Sequence, residues 1–183
     1  MRAIFVILLA GLLTACAADP AKIEEVAVDE AARLNPPTKL LSMYKTFELQ
    51  DMTFGEEIKV EDKKMAEARE FETAFKAKVG PLLETWNAVD RPSSQGQLSI
   101  RPHLARLRIV SGGARFWVGG MAGDSFIDLD LRLVDADTGV VVADVTIRRN
   151  ADAMTGGWSV GKSDQNLDDY IVSITHEYLN DNY

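Results

Sequence analysis

The stretch from Ser125 to Arg149 constrains the fold more than any other part of the chain. In it, apolar residues alternate with polar or charged ones in two runs that the connector 135–139 separates. One side of the pattern carries Ile127, Leu129, Leu131 and Leu133, then Val141, Ala143, Val145 and Ile147. A period of two predicts a β-hairpin with one dry face. Because a two-stranded ribbon is not stable alone in water, the rest of the chain must cover that face.

The connector between the two runs has the residues of a tight turn. Its aspartates can accept hydrogen bonds from the turning backbone, and Gly139 can take a positive φ, as in a type I turn closed by a glycine bulge. The same segment resembles the start of a calcium-binding loop. Position five of that loop would be Gly139, which has no side-chain ligand, and position twelve would be Thr146 rather than glutamate, so we predict a hairpin turn instead.

The length of the turn predicts a register for the hairpin. If Val134 faces Val140, the apolar residues of both strands stay on one side. Asp130 then lies opposite Asp144, and this like-charge pair is mildly unfavourable unless Arg132 or a cation from a partner lies between the two carboxylates.

The other periodic segments predict further strands and two main helices. We expect strands within 44–54 and 97–110, a short strand at 115–118, and helices over 62–79 and 164–179, with Ser163 as N-cap of the latter. A second helical piece follows the first as far as Val89. This order predicts an α+β fold, with an antiparallel or mixed sheet of about four to five strands and two main helices packed on one face.

Two prolines are expected to interrupt these elements. Gly80-Pro81 should end or kink the first helix, because proline lacks the N–H that continues the helical hydrogen bonds. Pro102 indicates an edge position or a bend in its strand, since it cannot donate to a neighbouring strand.

The first fifteen residues have the pattern of an export signal. Arg2 supplies a positive charge, and 3–13 is an apolar run too short to cross a bilayer core of about 30 Å as a helix. Leu13-Thr14-Ala15-Cys16 follows and resembles the bacterial lipobox, in which the cysteine is lipidated and becomes the first mature residue. The alternative is a chance cysteine behind an ordinary signal peptide.

The lipobox resemblance implies a location for the protein. Several acyl chains hold a protein on a bilayer effectively permanently. By resemblance to lipoproteins of Gram-negative cells, Ala17 in place of aspartate implies the outer membrane, on its periplasmic face. We therefore expect a signal peptide at 1–15, lipidated Cys16 and a flexible tether over 16–40, and one periplasmic domain at 41–183. A short amphipathic helix at 21–34 is the alternative to an extended tether.

Charge and cysteine content limit the partners further. The chain carries a formal charge of −8, and loss of residues 1–15 removes only Arg2 among the charged residues, which leaves −9. A negative balance argues against nucleic acid as a partner. Cys16 is the single cysteine, so no disulfide can support the fold.

One motif points to an enzyme. Residues 157–161 match G-x-S-x-G around Ser159, and Asp168 and His176 follow in the chain order of hydrolases that use this motif. The motif needs a buried strand before the serine, whereas a loop is predicted there. Asp168 and His176 would also lie on one helix, where they could not converge on Ser159. A small serine hydrolase therefore remains the alternative to a non-enzymatic protein.

The other polar motifs indicate no cofactor and no metal. The glycine-rich segment 119–123 leads into a predicted strand, whereas a phosphate-binding loop leads into a helix. His103 and His176 are the two histidines, and without further cysteines neither has partners at zinc-ligand spacing. We interpret both histidines as surface residues.

Aromatic residues in glycine-rich segments form the candidate binding loops. Arg115, Phe116 and Trp117 lie between glycine pairs, and Trp158 lies in a second glycine-rich segment. Aromatic side chains on loops can anchor a partner, but they can equally fold back onto the core.

The pattern from Leu104 to Ile147 resembles an uncharacterised family of small proteobacterial lipoproteins. The likeness consists of a strand, Gly112-Gly113, the Arg115–Trp117 stretch, a glycine loop, a long strand and the turn at 135–139. The resemblance implies an α+β lipoprotein similar in layout to periplasmic proteins that activate peptidoglycan synthases or assemble into secretion complexes. The expected function is a non-enzymatic binding or envelope-assembly module, anchored by its lipid, with an envelope protein or peptidoglycan as partner.

Overall fold

A mixed β-sheet lies at the centre of the computed structural model, which describes residues 19–109, 125–150 and 166–183. Strands β1 (Thr46–Leu49) and β2 (Thr53–Phe54) both run parallel to β3 (Gln97–Arg108). On its other side β3 pairs antiparallel with β4 (Phe126–Asp135), which pairs antiparallel with β5 (Val141–Asn150). The predicted α+β fold with a mixed sheet is confirmed.

Helices cover the dry face of this sheet. They are α1 (Pro20–Ala31), the single turn α2 (Glu56–Lys59), α3 (Asp62–Asn87) and α4 (Leu167–Asp181). Helix α4 contacts β4 and β5, α3 contacts β1 and β3, and α1 packs on α4. The two main helices expected from the sequence are present, and α1 is a third.

The core forms where the predicted apolar stripes meet. The alternating residues of β4 and the apolar stripes of α3 and α4 supply most of it: Ile127, Leu129, Leu131, Leu133, Ala68, Phe71, Phe75, Val79, Leu167, Ile171, Ile174 and Tyr178, all buried. Burial of this apolar surface is the main force that holds the helices on the sheet.

The β4–β5 hairpin forms, but its register differs from the predicted one. The turn bonds as expected: Asp135 Oδ1 accepts from the N–H groups of Asp137 and Thr138, and Gly139 has φ +73°. Val134, however, pairs with Val141 rather than Val140. An irregularity between Leu133 and Val134 shifts the pairing by one further residue. Beyond it the observed register therefore differs from the predicted one by two residues, and a shift of two leaves the apolar residues of both strands on the same face.

The segment predicted as a flexible tether is instead partly a docked helix. In α1, Ile23, Ala27 and Ala31 are buried, and the helix packs on α4. The prediction of a tether is therefore wrong for residues 20–31, and the alternative helix is observed. Two of these three buried residues are alanines, whose small side chains allow the two helices to approach closely. The next residues are also held, since the Thr38 N–H donates to the Val142 carbonyl at 2.9 Å.

Both prolines lie inside continuous elements. Helix α3 runs through Pro81 as far as Asn87, so the helix does not end at Gly80-Pro81, and the alternative of a kink there stays a prediction. Pro102 lies in β3, which has strands on both sides, rather than at an edge. The Ile100 and Leu104 carbonyls accept from the N–H groups of Gln50 and Gly55. Because every second residue of a strand directs its backbone groups to the same side, the Pro102 nitrogen faces the gap between β1 and β2. No donor is required there.

A charged groove on the open face of the sheet

A groove of about 670 Å³ lies on the sheet face opposite the helices. It forms because the polar positions of the alternating strands all project to this side. Most of its lining residues come from β1, β3, β4 and β5 and from the segment between β1 and β2: Glu48, Gln50, Asp51, Thr53, Ser99, Arg101, Pro102, His103, Asp130, Arg132, Ala136 and Asp144. This groove is the candidate functional site.

One row of charged residues crosses the groove from β3 to β5. The strand register places Arg101 beside Arg132, and Arg132 beside Asp144. Arg132 donates from Nε and Nη2 to Asp144 Oδ2, at 3.0 and 2.8 Å. The Arg101 Nε donates only to the Ser99 hydroxyl, at 3.2 Å. Within the described residues, no carboxylate oxygen lies within 4.0 Å of the Arg101 guanidinium.

The next row contains two hydrogen bonds that involve threonine hydroxyls. The Thr53 hydroxyl lies 2.8 Å from His103 Nδ1, and the Thr146 hydroxyl donates to Asp130 Oδ1 at 2.6 Å. His103 and Asp130 are opposite each other across β3 and β4. His103 is thus half-buried in an interior strand, whereas the sequence indicated a surface residue at a strand edge.

A third row, outside the groove, shows the same residue types in a balanced order. Asp128 lies between Arg106 and Arg148, with its Oδ2 at 3.4 and 3.7 Å from their nitrogens. Asp128 is only 7% exposed. In this row the aspartate lies between two arginines and forms an ion pair with each. In the groove row Asp144 lies at one end, beside Arg132, and Arg101 has no carboxylate partner among the described residues.

One wall of the groove is fixed by the buried carboxylate of Glu72 on α3. Glu72 accepts from the Met52 N–H at 3.3 Å and from Arg69 at 2.7 Å. Lys76 bridges Glu72 and Asp51, at 2.9 and 2.8 Å. Burial raises the pKa of Glu72, but the bonds from Lys76, Arg69 and the Met52 N–H outweigh burial and lower that pKa overall. The network holds the segment between β1 and β2, and with it Asp51, at the groove.

The candidate binding loops predicted from the sequence belong to segments that the structure does not describe. Arg115, Phe116, Trp117 and Trp158 fall outside the described residues. The same holds for Cys16, Ser159, the strand expected at 115–118 and the cap expected at Ser163. These predictions stay predictions.

Two members of the hydrolase motif can be located. Asp168 and His176 lie on the single helix α4, as the sequence indicated. Burial raises the pKa of Asp168, and His176 Nδ1 lies 3.0 Å from Glu177 Oε1. The two side chains are therefore not paired with each other, as an acid and base of a catalytic triad would be.

Sequence reasoning missed the groove as a site. Arg132, Asp130 and Asp144 were recognised as wet-face residues of the hairpin, but Arg101 was not connected with them. The available signal was the recurrence of charge at the polar positions of three successive strands. Only the pairing of β3 with β4 brings Arg101 and Arg132 together.

The described ranges contain neither a metal-ligand cluster nor a membrane-spanning helix. In 19–109, 125–150 and 166–183, no three His, Cys, Asp or Glu side chains are grouped so that they could hold a metal ion. None of the helices in this part of the chain has the length and apolar character needed to cross a membrane.

Comparison with solved structures finds distant likenesses. No family model matches the chain, and no curated protein matches its sequence. Two structures of the PelC dodecamer from Paraburkholderia phytofirmans are similar to it, each at 12% identity, with 80% of this chain and 95% of that chain covered and TM-scores of 0.47 and 0.46. A Xanthomonas campestris protein of DUF330, a domain of unknown function, is similar at 11% identity, with coverage of 80% and 88% and a TM-score of 0.39. These likenesses assign neither a family nor a function to the chain.

Proposed function

We propose that this protein is a non-enzymatic binding module, held at the periplasmic face of the outer membrane by a lipid on Cys16, and that it binds its partner through the open-face groove. The observation that carries the proposal is the groove itself. It presents charged side chains from four strands in a fixed arrangement, and one of them, Arg101, has no carboxylate partner among the described residues.

The bonding in the groove favours binding over catalysis. Thr53 and His103 are at hydrogen-bond distance, as a nucleophile and base would be. A base also needs an orienting group on its other ring nitrogen. In the described part of the chain His103 has no such bond, and Asp130, the carboxylate opposite it, accepts from Thr146 instead.

Membrane anchoring is tested by replacing Cys16. Cys16→Ser removes the lipid acceptor, so the variant should lose labelled palmitate and leave the outer-membrane fraction on a density gradient. Ala17→Asp keeps the acceptor and should move the labelled protein to the inner membrane. A Cys16→Ser variant that still carries label and sediments with outer membrane would refute the anchor.

Binding through the groove is tested by photo-crosslinking in cells. A photo-reactive residue at Glu48, exposed on the groove side, should give a discrete crosslinked species with an envelope component. The same residue at Glu84, exposed on α3, is the matched control and should give none. Equal crosslinks from both positions, or none from Glu48, would count against the groove as the binding surface.

Fluorophosphonate labelling tests the hydrolase alternative. Labelling that disappears in Ser159→Ala would replace the binding proposal with a serine hydrolase. We expect no labelling of the wild type.

A further inference from the structure

Among the described residues, Arg101 is the arginine of the groove that has no carboxylate partner. It stands opposite Arg132, and like charges opposite each other on paired strands are unfavourable. At Arg132 this repulsion is offset by the ion pair with Asp144, at 2.8 Å. Within the described residues the Arg101 side chain donates only to the Ser99 hydroxyl, so its guanidinium retains donors that suit a carboxylate.

Asp130 is the complementary anion. It accepts from the Thr146 hydroxyl, which is neutral, and no Lys, Arg or His nitrogen of the described residues lies within 4.0 Å of its carboxylate. A carboxylate has about four lone-pair positions, and a hydroxyl at one of them leaves the others available to a donor.

Arg101 and Asp130 are diagonal neighbours. Because Arg101 pairs with Arg132 and His103 pairs with Asp130, the two residues lie on adjacent strands, two positions out of line. Diagonal positions have Cα atoms roughly 7–8 Å apart. The two charged groups share the groove without forming an ion pair, so a small molecule with two opposite charges can span them.

We propose that the groove binds an amino-acid-type zwitterion, with the ligand carboxylate on Arg101 and the ligand ammonium on Asp130. This inference rests on the proposed function, for which it names the ligand class. A purely anionic ligand fits less well, because Glu48, Asp51, Asp130 and Asp144 all line the groove and would repel a phosphate dianion. The ammonium of a zwitterion offsets that repulsion at Asp130.

The charges of the ligand are tested with three matched probes. L-alanine carries both groups, N-acetyl-L-alanine carries only the carboxylate, and L-alaninamide carries only the ammonium. In a titration of the purified protein followed by ¹H–¹⁵N NMR, L-alanine should give saturable shifts. Each blocked probe should bind at least about tenfold more weakly, because each lacks one charge-assisted hydrogen bond.

The residues are tested with charge-neutral variants. Arg101→Gln and Asp130→Asn should each weaken L-alanine binding about tenfold or more, whereas Arg101→Lys should recover part of the affinity. Arg148→Gln and Asp90→Asn, both outside the groove, are the controls and should bind as wild type does. The spectrum of each variant reports whether it is folded.

Three results would overturn the inference: equal affinity for all three probes, unchanged binding by Arg101→Gln or Asp130→Asn, or no saturable shift with any probe. If crosslinks from Glu48 persist while alanine fails to bind, only the ligand class is wrong. If the crosslinks are also lost, the proposed binding function fails with it.

Discussion

Arg132 on β4 and Asp144 on β5 form an ion pair through a single carboxylate oxygen, which accepts from both Nε and Nη2 of the guanidinium. Their side chains are 56% and 49% exposed, and exposed pairs of this kind contribute about 0.2–1 kcal/mol. We therefore predict a coupling energy in that range from a double-mutant cycle of Arg132→Gln and Asp144→Asn, measured by urea unfolding. In a second cycle, Asp130→Asn with Asp144→Asn should show coupling near zero. A repulsive coupling in that cycle would support the register expected from the sequence alone.

Leu131 and Asp128 should respond very differently to truncation. Leu131 is completely buried in the dry face, so Leu131→Ala should destabilise the protein by about 2–5 kcal/mol through lost burial and a cavity. Asp128→Ala removes a carboxylate that two largely exposed arginines share, and water can solvate these arginines afterwards. We expect a cost of about 0.5–1.5 kcal/mol. Equal losses of unfolding free energy would mean that the faces of β4 are wrongly assigned.

Glu72 should make stability depend on pH in the acid range. Its pKa is lowered in the folded protein from an ordinary value of 4.5, so its contribution is fully present above pH 4.5 and is lost as the pH falls through the folded pKa. Glu72→Gln should be less stable than wild type at pH 7, by about 1–3 kcal/mol. Urea unfolding at pH 7 and pH 3 checks this, and the difference should shrink at pH 3. A constant difference would show that charge on Glu72 is not what stabilises the segment at Met52.

Two glycines provide a matched pair for backbone effects. A Cβ at Gly80, in the middle of α3, would meet nothing within 4 Å, so Gly80→Ala should stabilise the protein by about 0.5–1 kcal/mol. A Cβ at Gly55 would collide with the Ala105 carbonyl, so Gly55→Ala should lower the melting temperature. Destabilisation by Gly80→Ala would argue that α3 is interrupted at Gly80-Pro81 after all.

Periodicity predicted the elements well because each element repeats its own apolar spacing. The faces of β4 and the stripe of α3 could be read directly, since Leu131 and Phe75 lie where a period of 2 or 3.6 places them. The hairpin register could not, because the irregularity beside Val134 depends on backbone geometry rather than on composition. The continuity of α3 through Pro81 could not be predicted either. It depends on whether the buried contacts of Leu83 and Trp86 stabilise the helix by more than the hydrogen bond missing at Pro81 costs.

The groove could not be predicted from the sequence, for a different reason. Arg101 and Arg132 are far apart in the chain and become neighbours only when β3 and β4 pair. The order of charges across a row is a property of the register: it gives Asp128 two arginines but gives Arg101 no carboxylate from the part of the chain that the structure describes. No local pattern in either strand carries that information.

If Cys16 carries the proposed lipid, the docking of α1 sets how far the protein can reach from the membrane. A free tether over 16–40 could extend roughly 80 Å, at about 3.3–3.6 Å per residue. Because α1 begins at Pro20 and packs on α4, only three residues, and therefore four Cα–Cα steps, separate an acyl group on Cys16 from the folded body. Their full length is at most about 14 Å. An anchored molecule would therefore lie against the lipid headgroups, and its partners would have to come to the bilayer surface to meet it.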